Sequence, residues 1–439
     1  MNPVTSVYWR VYRAKFVDQA CFRSTLSHFG QNGSAGDATL REAASTIALR
    51  THNGTLPLIW DYGQVSGGLG DIERLWETLP IMTREGLRDQ VRRQAAIPGS
   101  SMVYTGGSTG QPVGLALTRE NFDHKRARLL AARVAMGWRP GMKVYAIWGS
   151  DSDIGRPDSA KTRLRHALAS LHIDGGFTMY QDRWQKLSEL MLKEKRPFAL
   201  YGYSSLLADF ARFCIDEGLT EFRSKVSTTW NGAEPIDGPG RDCINEAFGR
   251  SFHNFYGARE TGALAVQLDA DVHDLTPLGP TVLIEVVDGA GLACVPGEMG
   301  RVLVSLLQPT GTPLLRYEIG DLAVAGSRNP IGVSGLPALT GRTNNAIPLP
   351  DGSEVWGSYF NHLFKDYPEI REFQIIAKPD KNQLTVIHVG GLGSDAAVQI
   401  ADAVSERMKG YQVRLQQASE ISRTVHGKLR QVIVEAEEA

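Results

Sequence analysis

The sequence predicts an α/β protein. A large N-terminal part is expected to hold a mostly parallel sheet and a β-rich subdomain, and a small α+β part follows it. Three observations predict this. From about residue 100 to 260 the apolar pattern alternates between strand and helix periods, the signature of repeated β-then-α units. After about 278 short apolar runs lie between Gly/Pro turns. A stretch rich in Gly, Pro, Ser and Asn, 326–357, then separates these from a last small α+β pattern.

The elements follow in order. Lys143–Trp148 (KVYAIW) is a buried strand. Lys161–Leu171 and Arg183–Lys195 have the spacing of amphipathic helices, the second stopping before Pro197. Phe198–Tyr201 is a short strand, and Ser204–Glu217 a helix that Gly218 is placed to cap. Val226–Trp230 is a strand, Arg241–Phe248 a helix ended by Gly249, and Ser251–Phe255 another strand. Val282–Val287, Arg301–Leu306 and Leu322–Ala325 are the strands of the β-rich subdomain. Beyond 357 come strands at 372–377 and 384–389, a helix at 394–409, a strand at 411–416 and a basic tail, Arg423–Arg430.

Composition excludes several classes. The 439 residues carry 47 Lys+Arg against 48 Asp+Glu, a net charge of −1, which gives no electrostatic basis for binding nucleic acid. The N-terminal MNPVTSVYWRVYRAKF mixes charges into its apolar residues, unlike a signal peptide, and no stretch approaches the ~18 apolar residues of a membrane span. The four cysteines (Cys21, Cys214, Cys243, Cys294) are far apart and form no CxxC pair. A cytoplasmic protein with reduced thiols and no membrane partner is expected. The GGLG segments near 67 and 390 lack the full GxGxxG spacing of a dinucleotide fingerprint.

Five segments carry candidate chemistry. In Tyr104–Val113 (YTGGSTGQPV) three glycines and three hydroxyls crowd together; glycines let amides approach an anion, and hydroxyls add donors. The Lys of a Walker A loop is absent, and a plain surface turn has the same composition. In Asn254–Gly262 (NFYGARETG), Tyr256 is placed to stack on a base and Glu260 to bind a hard cation; a strand-to-loop junction with a surface ion pair reads the same. In Leu315–Asp321 (LRYEIGD), an Asp after a tight Gly turn can accept both hydroxyls of a ribose diol; the alternative is an ordinary β-turn. Gly341-Arg342 lies in the linker. In His426–Arg430 (HGKLR), a lysine beside a flexible glycine can deliver a point charge to phosphate or carboxylate, or be a solvated basic tail.

The order and spacing of these segments, with Asn231–Pro235 (NGAEP), resemble the adenylate-forming superfamily of acyl-CoA synthetases, peptide adenylation domains and luciferases. The phenylacetate–CoA ligase branch and its CapK-like members are the nearer resemblance, through Leu79–Thr83 (LPIMT), Tyr201–Ser204 (YGYS) and Pro313–Asp321 (PLLRYEIGD). It runs from about 75 to 436.

The resemblance implies a large N-terminal domain, 1–342, and a small mobile lid, 343–439, that rotates between two half-reactions. In the first a carboxylate attacks the α-phosphate of Mg·ATP, giving acyl-AMP and pyrophosphate. In the second a nucleophile takes the acyl group. Thr105, Gly106, Gly107, Ser108, Thr109 and Gly110 would hold the β,γ-phosphates. Ala233, Glu234 and Pro235 would line the adenine, with Tyr256 and Gly257 at the ring. Asp321 would bind the ribose, with Arg342 nearby. Glu260 would hold Mg²⁺, Arg259 would face the α-phosphate or turn outward, and Lys428 would bridge carboxylate and α-phosphate. Trp148, Tyr203, Asn231, Gly232 and Ala258 would line the acid pocket, whose aromatic walls suit an aryl or arylacetic acid.

The chain departs from the family in places. Gln111 stands where many members have Lys, Arg259 where the common pattern has Thr, and Asn344 and Asn345 at the hinge. Ala346–Ser353 (AIPLPDGS) replaces a Gly-containing segment that helps receive CoA. His273 and Cys294 are too few for the zinc site of some relatives, so Mg²⁺ is the metal expected; His253 and His273 read as structural. The expected acceptor is CoA, with an amine, a separate carrier-protein thiol, or a non-catalytic nucleotide-binding homologue as alternatives. A homodimer stays open.

Overall fold

The structure, a computed structural model, describes residues 18–28, 76, 79–93, 99–104, 113–148, 164, 166–175, 181–232, 236, 238–249, 252–269, 272–307, 311–312, 314–342, 346–350, 354–364, 367, 369–422 and 429–435. For Arg342 only the backbone is described. Among the described residues no helix is long and apolar enough to cross a membrane.

Helices α1 (Gln19–His28) and α2 (Arg84–Arg93) precede a hairpin of β1 (Ser101–Tyr104) and β2 (Gly114–Leu117), with Tyr104 opposite Gly114. The Gly-rich segment therefore connects the two strands of a hairpin. Helix α3 (Arg119–Ala135) follows. Its first turn is fixed by a capping box, in which Thr118 Oγ1 accepts from the Asn121 amide and the Asn121 side chain accepts from the Thr118 amide.

A five-stranded parallel sheet comes next, in the order β4-β3-β5-β6-β7. Its chain order is β3 (Val144–Trp148), β4 (Leu171–Gly175), α4 (Gln181–Leu192), β5 (Phe198–Tyr203), α5 (Ser204–Asp216), β6 (Val226–Gly232), α6 (Gly238–Phe248) and β7 (Phe252–His253). This is the β-then-α pattern of the sequence, and Gly218 and Gly249 take positive φ, +66° and +58°, after α5 and α6. One helix was expected to run too far. Leu171 begins β4, bonded beside Val144 of β3, because Ser170 at φ +54° ends the helical path.

Ser251–Phe255 is likewise not one strand. The chain pairs with β6 through His253, breaks at Asn254, and starts β8 (Phe255–Ala258) in a second sheet with β9 (Gly262–Gln267) and β10 (Leu275–Pro277). The β-rich part is a four-stranded antiparallel sheet of β11 (Val282–Val287), β12 (Met299–Leu306), β13 (Tyr317–Val324) and, after the small hairpin β14 (Arg328–Asn329) and β15 (Gly332–Val333), β16 (Ala338–Arg342).

Strand β13 is longer than the expected Leu322–Ala325. It takes in Tyr317–Asp321 of the LRYEIGD segment, so Asp321 follows no β-turn but sits inside a strand. Val302 of β12 faces the irregularity there, and Gly320, at φ +86°, provides the bend that no other residue takes without strain.

The 326–357 stretch also contains β17 (Ala346–Pro348) and β18 (Glu354–Trp356), paired with each other. Then come α7 (Ser358–Phe364), β19 (Glu372–Lys378), β20 (Gln383–Val389), α8 (Ser394–Arg407), β21 (Gln412–Gln417) and β22 (Val432–Val434), whose sheet order is β21-β20-β19-β22. The expected basic tail is therefore no terminus: the chain returns as β22, parallel to β19.

Three clusters of buried apolar side chains hold these parts. One lies between α3, the hairpin sheet and the β-rich sheet, and one between the parallel sheet and its helices. The third joins Ile347 and Val355 to the C-terminal sheet and α8. In the second, Phe210, Phe222 and Phe248 contact one another at ring-centroid distances of 5.6–6.1 Å, each pair adding roughly 0.5–1.5 kcal/mol beyond area burial.

Candidate active site

Strands β3, β5 and β6 end side by side, and the carboxyl ends of parallel strands are where α/β sheets bind ligands. Gly202 lets them come close: a Cβ there would lie 2.4 Å from the Ile147 carbonyl. Trp148, at the end of β3, lies against Tyr201 (centroids 4.8 Å apart, planes 30° apart) and Tyr203 (4.7 Å, 51°). Tyr201 in turn stacks on Trp230 at 5.7 Å. Gly232 sits over this cluster, its missing Cβ 2.9 Å from Tyr201 Oη and 3.2 Å from Trp148 Cη2. Burial pushes the Tyr201 phenol up to about 12, so it stays a neutral donor. The structure thus brings Trp148, Tyr203 and Gly232 together.

Asn231 has a different setting. It is fully buried, and its side chain joins two sheets: Nδ2 donates to Ser204 Oγ at 3.0 Å and to Asn254 Oδ1 at 2.8 Å, and Oδ1 accepts from the Phe255 amide at 2.7 Å. His253 is also held internally, its Nδ1 3.0 Å from the Gln267 carbonyl; burial holds its imidazole below its ordinary pKa.

The β8–β9 hairpin carries the next residues. Gly257 lets it close, since a Cβ there would lie 2.7 Å from the Gly262 carbonyl. Tyr256 is buried, and its Oη donates to Asp321 Oδ2 at 2.7 Å. Asp321 pairs with Arg342 across β13 and β16. Three residues from three separate motifs therefore meet at one place.

Ala258 and Gly262 close a loop of Arg259, Glu260 and Thr261. Arg259 is exposed and Glu260 half-buried. The Glu260 carboxylate takes no hydrogen bond from the described residues.

The sequence did not single out Lys125 and Arg128. Lys125 Nζ donates to the Arg259 carbonyl at 2.7 Å and lies 3.4 Å from that of Glu260; Arg128 Nη2 donates to the Thr261 carbonyl at 2.9 Å. Burial, with Arg128 adding repulsion, lowers the Lys125 ammonium to about 8. Their i, i+3 spacing on α3 was the available signal, but on a helix this polar it reads as a solvated face.

Arg316, of the LRYEIGD motif, is structural. It is buried at φ +45°, its Nε 3.1 Å from Glu285 Oε1 and its Nη1 2.7 Å from the Leu79 carbonyl, and Trp76 Nε1 donates to the same carboxylate. Thr105, Gly106, Gly107, Ser108, Thr109, Gly110, Gln111, Ala233, Glu234, Pro235, Asn344, Asn345 and Lys428 lie outside the described residues.

No family model matches the chain. Two curated proteins do. An uncharacterized acyl-CoA ligase, YtcI of Bacillus subtilis, is 21% identical over 337 residues, 73% of this chain and 60% of YtcI. Protein CapK of Staphylococcus aureus is 23% identical over 284 residues, 61% of this chain and 59% of CapK. The chain thus spans about 60% of the length of these relatives. Among solved structures, 2-hydroxyisobutyryl-CoA ligase in its postadenylation state, in complex with 2-HIB-AMP, superposes with a TM-score of 0.65 at 18% identity, covering 91% of this chain and 90% of that one. The amide bond synthetase McbA of Marinactinospora thermotolerans gives 0.55 at 17% identity, covering 76% and 69%. The chain is thus similar in sequence to an acyl-CoA ligase and to CapK, and it shares the fold of 2-hydroxyisobutyryl-CoA ligase and of McbA.

Proposed function

We propose that the protein activates a small carboxylic acid as its acyl adenylate, with release of pyrophosphate, and passes the acyl group to CoA. The observation that carries this is the hydrogen bond from Tyr256 to Asp321, on the strand next to Arg342. It brings residues far apart in sequence together at one corner. In that reading Asp321 takes the ribose hydroxyls and Tyr256 flanks the base. The Gly-rich Thr105–Gly110 holds the phosphates, and Ala233, Glu234 and Pro235 line the adenine.

Mg²⁺ fits the residues present. The loop carbonyls at 259–261 are taken up by Lys125 and Arg128, which leaves the Glu260 carboxylate as the oxygen donor. Magnesium commonly takes one or two carboxylates together with phosphate oxygens. The ion would neutralise charge on the phosphates. Lys428 supplies a further positive charge between carboxylate and α-phosphate, where charge placement does most of the catalytic work. Arg259, exposed at the loop tip, is assigned to the same phosphate.

The substrate we assign is an aromatic acid, received by Trp148, Tyr201, Tyr203, Gly232 and Ala258. The tilted and stacked rings suit a flat group. We assign residues 1–342 to the nucleotide and acid domain and 343–439 to a mobile lid that brings Lys428 to the reaction. The separate third core, beginning at Ile347, supports that division.

A second reading, transfer to an amine, is favoured by one feature. Residues 346–348 form a strand with Pro348 in the segment where the resembling family usually carries glycine to receive CoA, and the amide bond synthetase McbA has a similar fold.

The test is pyrophosphate release from Mg·ATP across aryl, arylacetic and short aliphatic acids, first without acceptor, then with CoA and with amines. Release with an aromatic acid and consumption of CoA are expected. ATP binding with no release for any acid or acceptor would overturn the enzymatic reading.

A further inference from the structure

Helix α3 presents two cations to the back of the Arg259–Thr261 loop, and among the described residues both give their hydrogen bonds to backbone carbonyls. Lys125 Nζ meets the carbonyls of Arg259 and Glu260, and Arg128 Nη2 meets that of Thr261. Three successive peptide carbonyls are thus drawn toward one face of one helix. Arg128 is wholly buried. Burying a cation is costly, and hydrogen bonds to carbonyl oxygens offset only part of that cost. The loop is correspondingly tailored to the arrangement. Gly262 holds φ +76°, and a Cβ on it would come within 3.1 Å of Lys125 Cε and 3.3 Å of Cγ. The lysine stem occupies the space that a side chain at 262 would need. Meanwhile the Glu260 carboxylate takes no hydrogen bond from the described residues.

We propose that Lys125 is a positioning residue for metal binding: with Arg128 it pins the carbonyls of the Arg259–Thr261 loop to α3, so that the Glu260 carboxylate is presented to the magnesium of bound Mg·ATP. The inference rests on the reading of Glu260 as the metal-holding group. Its physical content is directional. A loop that could turn its carbonyls outward would offer the ion weaker neutral oxygens, or withdraw the carboxylate. Two charge-assisted bonds from a rigid helix prevent both.

The test is calorimetric titration of ATP into the full chain, in excess Mg²⁺ and in EDTA, for the wild type, Lys125→Met, Lys125→Arg and Gly262→Ala. The wild type is expected to bind ATP more tightly with Mg²⁺. Lys125→Met keeps its metal-free affinity within about twofold and loses about tenfold of the Mg²⁺-dependent tightening, the effect of one charge-assisted bond. Lys125→Arg, which can reach the same carbonyls, restores most of it. Gly262→Ala displaces the stem without removing the charge and reproduces the loss, so a poorly folded Lys125→Met leaves the comparison decidable.

Wild-type Mg²⁺ enhancement in both Lys125→Met and Gly262→Ala would overturn the proposal. So would an equal loss with and without the metal, which marks a merely structural side chain. Absence of any ATP binding by the folded wild type would instead overturn the nucleotide site itself, and this positioning role with it.

Discussion

Replacing Tyr256 with Phe isolates the corner on which the functional reading turns. Tyr256 is 7% exposed and the ring survives in the variant, so packing changes little. What is lost is one bond, from Oη to Asp321 Oδ2 at 2.7 Å, a donor to a charged acceptor in a part-buried setting. Hydrogen bonds to charged groups contribute ~1.5–3 kcal/mol net, and partial exposure puts this one near the lower figure. About 1.5 kcal/mol is about tenfold in an equilibrium constant. On the proposed reading the loss falls on ATP affinity, because the phenol fixes the carboxylate assigned to the ribose. Asp321→Asn and the double variant complete a cycle, in which a coupling energy of about 1–2 kcal/mol is expected. Calorimetric titration of ATP reads all four proteins. An affinity of Tyr256→Phe within twofold of wild type, or two losses that simply add, would refute the assignment.

Three further outcomes follow. Arg316→Met takes the guanidinium away from the buried Glu285 carboxylate, and should lower stability by about 3 kcal/mol in urea titrations; a loss below about 1 kcal/mol, or no recovery when Glu285 also becomes Met, would contradict the buried pair. Burial works to raise the Glu194 carboxyl, but hydrogen bonds from Lys143 and Tyr145 and the charges of Lys143 and Lys225 outweigh it and hold the group below its ordinary 4.5. Its folded value is depressed, so its stabilisation is complete above pH 4.5 and lost as pH falls through the folded value; Glu194→Gln should flatten the slope of urea midpoint against pH there, and an unchanged slope would count against it. Lys428→Ala should cost roughly 10²–10³ in the rate of acyl-adenylate formation, the ~3–4 kcal/mol of one preorganised donor; an unchanged single-turnover rate removes Lys428 from the chemistry.

The parallel sheet was legible because each βαβ unit repeats a local signal. Apolar runs such as KVYAIW can only be strands of this length, and glycine marks helix ends at 218 and 249. The errors lie where tertiary pairing overrides local pattern. Asn254 splits an apolar run because Asn231 reaches across to bond it, and no period in either segment announces that contact. Gly320 reads as a turn residue, yet the facing strands hold it in a bulge. Arg316 looks like part of a nucleotide motif and is spent on Glu285 instead. Lys125 and Arg128 are masked by their company, since HKRAR on an exposed-looking helix gives no hint that two of its cations point inward.

The β8–β9 hairpin is gripped at its root by the Asn231 side chain on the Phe255 amide and at its tip by Lys125 and Arg128. Mechanically it is a short beam fixed at both ends, with Tyr256 and Glu260 spaced along it. Such a beam transmits displacement poorly but transmits load well. A push on the loop tip by an incoming phosphate would be carried into α3 and the parallel sheet together, instead of being absorbed by bending. Base and metal would then be registered against one ruler, whose spacing is set when the chain folds and not when the nucleotide arrives.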